Sequence, residues 1–299
     1  MDWISILEKT YKEPFTRDYK MASLTTWKIG GISAVVALPE TINGLVTLIN
    51  FATKNIIPYY ILGRGSNVLV GDNYFNGIII YLGKNFSSIF TKGNEIEAYA
   101  GVTLNQIGVL AKKSAFKNAE FLRGIPGSLG GALITNAEAY KIAISDFVES
   151  VRVFENGVFK DYNQSMCDFS YRHSIFEKKD NFCIVKATLV FEKGDIETIN
   201  QNYKNTIEFR KTKQPKYPNG GSIFKNPKNG PAAGYLIDQL KLKGLDKGDA
   251  VISEVHGNFI LNKNKAKAAD VLYLIEKIKN QVMKAYNIEL QLEIKKINC

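Results

Sequence analysis

Histidine and cysteine are scarce: two of the first and three of the second in 299 residues. Cys167, Cys183 and Cys299 form no CxxC pair and are odd in number, which excludes a disulfide framework and a zinc ribbon and points to reduced thiols in a cytosol. His173 and His256 make no metal-ligand spacing, so no metal site is expected. No apolar run approaches the roughly 20 residues that span a bilayer. The opening MDWISILEKTYKEPF has neither the basic start nor the long apolar core of a secretory signal. The expectation is a cytoplasmic protein with no membrane partner.

Basic runs are missing too. Lysine and arginine exceed the acids to give a net charge of +10, but they are scattered, with no run of five. There is also no zinc-finger spacing and no aromatic RNA-binding signature. Nucleic acid is therefore not the expected partner, and the charge suits a surface that attracts phosphorylated small molecules. Hydrophobic residues at 45% and charged residues at 23% are ordinary for a globular chain of this length, which holds two domains or one large one.

The periodicities mix strands and helices. After a short helix and an extended lead-in, SAVVALP reads as a strand and INGLVTLINFATKN as a helix. IIPYYILGRGSNVLV reads as two β pieces around a turn at Gly63–Asn67, followed by the strands GIIIYL and EIEAYAGV and the helix LNQIGVLAKKSAF. VESVRVFENGVFKDY reads as a hairpin turning at Asn156–Gly157, and NFCIVKATLVFEK as a further strand. This is an α+β pattern with strands dominating. Beyond Lys193 the texture becomes more helical and closes on IELQLEIKKI, an alternating strand. A lead-in over 1–20, a first domain over 21–195 and a smaller α/β domain over 196–299 are expected.

Glycine is where the chain is rich. GIPGSLGGALITNAEAY, residues 124–140, crowds four glycines, a proline and a serine into eight residues ahead of a helix-like segment. Such loops let a ligand approach the main chain, and turned N–H groups with a following helix N-terminus attract anions. A diphosphate cradle, and so a nucleotide-like cofactor, is one reading; a tight structural turn is the other. ILGRGSNVLV upstream is a second glycine loop, matching neither a P-loop nor a dinucleotide fingerprint. TTWKIGG is a third.

The order TTWKIGG, ILGRGSN, GIPGSLGGALITNAEAY resembles the FAD-binding domain of the vanillyl-alcohol-oxidase (PCMH) type, built in two lobes. With YRHSIF, RKTKQP, GGSIFKNP, AAGYLIDQLKLKGL, GDAVISEVHGNFILN and LQLEIKKI it is similar to the UDP-N-acetylenolpyruvoylglucosamine reductase family over residues 22–297. The resemblance implies FAD as cofactor, NADPH as hydride donor, a UDP-sugar substrate and a smaller C-terminal substrate-binding domain. For cofactor contacts it implies Gly30, Gly31, Gly63, Arg64, Gly65, Ser66, Asn67, Gly124, Pro126, Gly127, Ser128, Gly130, Gly131, Asn136 and Ala137. For the substrate it implies Tyr171, Arg210, Lys213, Lys225 and Asn226, of which the three cations suit a diphosphate and a carboxylate. Its catalytic set falls on Arg172, Ser222 and Glu293.

None of the three announces itself. Alone, Ser222 reads as a turn serine, Arg172 as a surface or salt-bridged arginine, and Glu293 as part of a solvated strand face. In the family's reaction hydride reaches C3 of the enolpyruvyl group, charge moves onto its carboxylate beside Arg172 and Glu293, and Ser222 protonates C2. The chain departs from the family at two places. Glu138 stands where the family has glycine, and only Glu177 to Asn181 separate YRHSIF from the next strand, as in the shorter type without a closing tyrosine loop. Another FAD-linked oxidoreductase of the same fold, or a basic nucleic-acid-binding protein, are the alternatives. A monomer is the simpler expectation for the oligomeric state.

Overall fold

The computed structural model describes residues 3–178 and 181–299. In chain order the elements are α1 (Trp3–Thr10), β1 (Phe15–Lys20), β2 (Ile32–Ala37), α2 (Ile42–Lys54), β3 (Tyr59–Leu62), β4 (Val68–Val70), β5 (Phe75–Tyr81), β6 (Ile89–Lys92), β7 (Glu95–Tyr99), α3 (Leu104–Lys113) and α4 (Leu129–Thr135). There follow β8 (Glu138–Ala139), β9 (Ile142–Ala143), β10 (Val148–Glu155), β11 (Val158–Asn163), β12 (Phe182–Val190), α5 (Ile196–Lys213), α6 (Ala233–Gln239), β13 (Asp246–Lys247), β14 (Ala250–Ile252), β15 (Ile260–Asn262), α7 (Ala268–Tyr286) and β16 (Lys295–Ile297). The content is α+β. Part of the short connection after YRHSIF, residues 179 and 180, and the first two residues lie outside the described residues.

The chain forms two units, each assembled from three stretches: 1–17, 35–64 and 76–210 in the first, 18–34, 65–75 and 211–299 in the second. The sequence places a boundary near 195, whereas α5 belongs to the first unit as far as Arg210. The reason is its buried stripe, Ile199, Tyr203 and Thr206, one helical face at i, i+4 and i+7. The Tyr203 hydroxyl donates to the Gly108 carbonyl on α3 at 2.6 Å. Asp195 starts this helix by accepting from the backbone N–H and hydroxyl of Thr198, which holds its carboxyl below the usual range.

The first unit carries two sheets. One has the order β1-β2-β5-β3, with β3 parallel to β5, and the chain passes between units inside β1, β2 and β5. The other is antiparallel, β11-β10-β12-β7-β6. The β10–β11 hairpin turns at Asn156 and Gly157, both left-handed, as a two-residue loop needs to match strand twist. One core runs through the unit, including the stacked rings Phe116–Phe191–Phe147–Phe121 at centroid distances of 5.4, 4.8 and 5.7 Å. Helix α3 begins in a capping box of Thr103 and Gln106.

The second unit has its own core around Trp27, whose indole N–H donates to the Ile260 carbonyl at 2.9 Å. β13-β14-β15 form one small sheet, and β16 pairs parallel with β4. The alternating strand expected over IELQLEIKKI is reduced to one bridge, Phe224↔Leu292, and to β16. A bend at Ile294 breaks the alternation, so Leu290, Ile294 and Ile297 are all buried. Helix α4 starts inside the glycine run, at Leu129, and not after it.

At the end of α2 the Ile57 N–H bonds to the Ala52 carbonyl at 2.9 Å, the six-to-one bond of a Schellman cap. The residue that must be left-handed there is Ile56, at φ +55 and 91% exposed, a conformation that is costly for a β-branched side chain. Ile56→Gly is expected to stabilise the cofactor-free protein by about 0.5–1 kcal/mol, read as a raised midpoint in denaturant; a lowered midpoint would refute the strain.

Candidate functional site

The glycine run is stitched to its neighbours by its own backbone. Leu129 N–H donates to the Val102 carbonyl at 2.8 Å and Gly130 N–H to the Ala100 carbonyl at 2.9 Å, while Gly127 N–H turns back onto Ile125. The sequence suggests a fan of N–H groups aimed at a ligand. Three of them are spent inside the first unit instead, because α4 docks on the end of β7. Ser128 and Gly131 remain beside open space.

That space is a cleft of about 730 Å³ within the first unit, between β3 of one sheet and β12 of the other. Gly63, Ser128, Gly130 and Gly131 line it together, with Tyr59, Tyr60 and Cys183 along the walls. Burial pushes the Cys183 thiol up, which keeps it a neutral wall atom. A Cβ on Gly63 would run into Ser128 Oγ, and one on Gly130 would press on Ala100 at 3.0 Å. One on Gly131, which lines the cleft, would meet nothing nearer than Ser128 Oγ at 3.6 Å. The volume, the glycines in the lining and the mainly apolar walls fit a dinucleotide such as FAD.

Other residues singled out in the run do structural work. Asn136 ends α4 in a left-handed conformation, is 5% exposed, and bonds Ser170 and Ser145. Ala137 N–H donates to Ala132 and its carbonyl accepts from Ile144. Gly124 has no room for a side chain because Arg210 lies on it and donates to its carbonyl. The Arg210 guanidinium also hydrogen-bonds Tyr140, whose ring meets Phe209 edge-on at 5.5 Å. Burial lowers the Arg210 pKa, and Tyr140 opposes that. Pro126 and Arg64 are exposed.

Tyr171 and Arg172 are the centre of a tight turn in which Ser170 and His173 exchange both backbone hydrogen bonds at 3.1 Å. Arg172 has φ +51 and Tyr171 does not share it, the pattern of a type II turn, whose second central residue is normally glycine. Its guanidinium donates to the Glu138 carbonyl at 3.4 Å and lies 5.6 Å from the Tyr171 ring. What the unusual Glu138 offers this arginine is a main-chain oxygen, which any residue there would supply. His173 sits between Glu177 and Asp168 at 3.1 and 3.4 Å.

In the second unit Gly30 is packed on Ala22, Val70 and Met21, and Gly31 faces backbone. A Cβ on Gly31 would lie 2.5 Å from the Asp72 and Asn73 carbonyls, and Gly31 N–H donates to Gly71. Gly65 is packed on Leu24 and Thr25, and Ser66 is half-buried. Asn67 donates from its side chain to the Glu293 carbonyl at 3.1 Å and accepts at its own carbonyl from Lys295.

Ser222 and Glu293, 71 residues apart in sequence, come onto adjoining segments here. Glu293 N–H donates to the Ile223 carbonyl at 2.8 Å and Lys225 N–H to Gln291 at 2.9 Å. On the other side Asn258 exchanges side-chain bonds with the Phe224 backbone at 2.8 and 3.0 Å, and its carbonyl takes Ile223 N–H. Ser222 and Glu293 are both half-buried, so the fully solvated face suggested for Glu293 by the alternation is not observed. Asn226 accepts from Ala233 at the start of α6, and Lys213 is exposed. Sequence reasoning missed Asn258; an amide inside the apolar run of HGNFIL was its signal. Among the described residues no group of acids, histidines and cysteines converges on a metal position, and no helix is long and apolar enough to cross a membrane.

Comparison with known proteins finds matches in both halves of the chain. A profile of the FAD binding domain matches residues 33–157, and one of the UDP-N-acetylenolpyruvoylglucosamine reductase C-terminal domain matches residues 214–297. A UDP-N-acetylenolpyruvoylglucosamine reductase of Clostridium novyi (strain NT) is 38% identical over 97% of this chain and 94% of its own. One of Carboxydothermus hydrogenoformans (strain ATCC BAA-161 / DSM 6008 / Z-2901) is 39% identical over 96% and 95%. The crystal structure of the UDP-N-acetylenolpyruvylglucosamine reductase of Thermus caldophilus aligns with a TM-score of 0.80 at 32% identity, covering 96% of this chain and 99% of that one.

The cleft makes opposite demands on two adjacent glycines. Gly131→Leu is expected to leave the apoprotein as stable as before, since leucine favours a helix, and to weaken FAD binding at least about tenfold by filling space a bound cofactor needs. Gly130→Leu should instead unfold the loop against Ala100, lowering the apoprotein Tm. Titration of apoprotein with FAD beside a melting curve separates the two; unchanged FAD affinity in Gly131→Leu would place the cofactor elsewhere.

Proposed function

The chain belongs to the UDP-N-acetylenolpyruvoylglucosamine reductase family, and we propose that it reduces UDP-N-acetylenolpyruvoylglucosamine to UDP-N-acetylmuramate with electrons from NADPH, in the cytoplasm, for peptidoglycan precursor synthesis. The observation that carries this reading is the fixation of the Ser222 segment. Two residues from motifs far apart in sequence are held on adjoining backbone, with Asn258 locking one side and Gln291–Glu293 the other. A turn serine without a task needs no such support on both flanks. The glycine-floored cleft of the first unit supports the cofactor half of the reading.

Gly63, Ser128 and Gly131 would hold FAD in the cleft, and the bound flavin would supply the hydride chemistry. The protein's own work is electrostatic and positional. When hydride adds to C3 of the enolpyruvyl group, the π electrons move onto C2 and toward the carboxylate. Arg172 offers a fixed cation for that charge, and its turn keeps the planar guanidinium oriented. Ser222 gives its hydroxyl proton to C2, completing the addition of two hydrogens across the double bond, and solvent returns the proton. A serine hydroxyl is a weak acid in water. It transfers a proton here because the carbon it meets is more basic and because cations such as Lys225 favour the alkoxide left behind. Glu293, as the protonated acid, would donate a hydrogen bond to the same carboxylate. Lys213, Arg210 and Asn226 belong to the side of the reaction that binds the UDP-sugar, Arg210 in addition to its hold on Gly124.

The protein as purified is expected to show the visible absorbance of an oxidised flavin, or to gain it on addition of FAD; a colourless protein that takes up no FAD would defeat the assignment. Ser222→Ala should keep flavin reduction by NADPH and slow reoxidation by the enolpyruvyl substrate by about 10²–10⁴-fold. Stopped-flow of the two half-reactions reads this. Equal losses in both would assign Ser222 to structure.

A further inference from the structure

Family resemblance counts Asn136 among the cofactor contacts, but its side chain is occupied elsewhere. It is 5% exposed. Its amide nitrogen donates to the Ser170 carbonyl at 2.9 Å and its amide oxygen accepts from Ser145 N–H at 3.2 Å. The left-handed conformation at φ +44, ψ +62 that ends α4 is what aims the amide that way, and asparagine tolerates it better than most residues. The Ser170 carbonyl is the one that also accepts from His173 to close the turn around Tyr171 and Arg172. A second bond, Ser174 Oγ to the Ile134 carbonyl at 2.8 Å, ties the far side of the turn to the same helix. Two residues past Asn136, the Glu138 carbonyl takes the Arg172 guanidinium itself. The end of α4 therefore grips the turn at its two flanks and at the arginine.

We propose that Asn136 is a positioning residue for Arg172: its amide holds the strained turn so that the guanidinium is fixed when substrate charge develops. The inference rests on the role proposed for Arg172. Arg172 sits at φ +51 in a turn position that suits glycine, so without an external hold the turn relaxes and the guanidinium moves. A misplacement of about 1 Å costs roughly 10²-fold in rate. Asn136 is not among the residues that line the cofactor cleft, which α4 meets through Gly130, Gly131 and Ile134, and its amide is spent on Ser170 and Ser145.

The test uses the FAD-loaded enzyme and three substitutions. Asn136→Gly keeps the left-handed backbone and removes the amide. Asn136→Asp keeps the acceptor for Ser145 and replaces the donor to Ser170, so it remains informative if the glycine variant folds poorly. Arg172→Ala is the reference. In both Asn136 variants FAD Kd is expected within about twofold of the parent, with flavin reduction by NADPH unchanged. Reoxidation by UDP-N-acetylenolpyruvoylglucosamine should slow by about tenfold or more, as a fall in the limiting rate. Combined with Arg172→Ala, Asn136→Gly should add little further loss, since both remove one interaction. The proposal is overturned if FAD Kd rises tenfold while reoxidation of the loaded enzyme is normal, or if the two losses multiply. If Arg172→Ala itself leaves reoxidation intact, the assigned role of Arg172 fails and this inference with it, an outcome distinct from a normal Asn136→Gly beside an impaired Arg172→Ala.

Discussion

The docking of α4 on the end of β7 is the constraint from which the first unit's site follows. Two main-chain bonds, Leu129 to Val102 and Gly130 to Ala100, require the helix backbone to lie against the strand end, and a side chain at position 130 would press on Ala100 at 3.0 Å. Once docked, the helix lines the cleft with Gly130, Gly131 and Ile134, and its C-terminal end also meets the turn of Tyr171 and Arg172. Seven residues thereby fix both the floor of the cofactor space and the base on which the arginine stands. The glycines are explained more by this packing than by a fan of donors around an anion.

The second unit solves a similar problem with an amide. Asn258 is 4% exposed and satisfies both the N–H and the carbonyl of Phe224. A buried amide that makes its hydrogen bonds is retained at modest net gain, while its loss strands two backbone groups. The result is a rigid segment at Ile223–Phe224, flanked by Glu293, next to a serine that the sequence alone leaves as an ordinary turn residue. Trp27 and Asn262 extend the same logic: the indole donates to Ile260 and the Asn262 amide to the Trp27 carbonyl.

The elements with strong periodicity were legible. The stripe of α2, the capping box of α3 and the Asn156–Gly157 turn each follow from local rules that act over a few residues. What failed was non-local. IELQLEIKKI alternates as a strand should, but its partners are two different segments, Phe224 and β4, and the bend at Ile294 that serves both breaks the strand. The break placed near 195 was drawn from a change of texture. The helix that follows is polar by count, but its three buried residues tie it to the first unit. Gly30 and Gly31 look like ligand glycines in the sequence, and the fold adds a close packing environment that the sequence does not show: Ala22, Val70 and Met21 around Gly30, Asp72 and Asn73 around Gly31.

By itself the sequence determined the α+β class, the FAD-binding and reductase relationship carried by its motifs, and which residues merit attention, because these depend on residue identity and short spacing. The tertiary structure decided what each residue does with its hydrogen-bonding capacity. Asn136 spends its amide on Ser170 and Ser145, Arg210 lies on Gly124, and Arg172 stands in a strained turn held from outside. Those outcomes follow from which chain segments meet, and hydrogen bonds between residues 34 or 86 apart leave no periodic trace in the sequence.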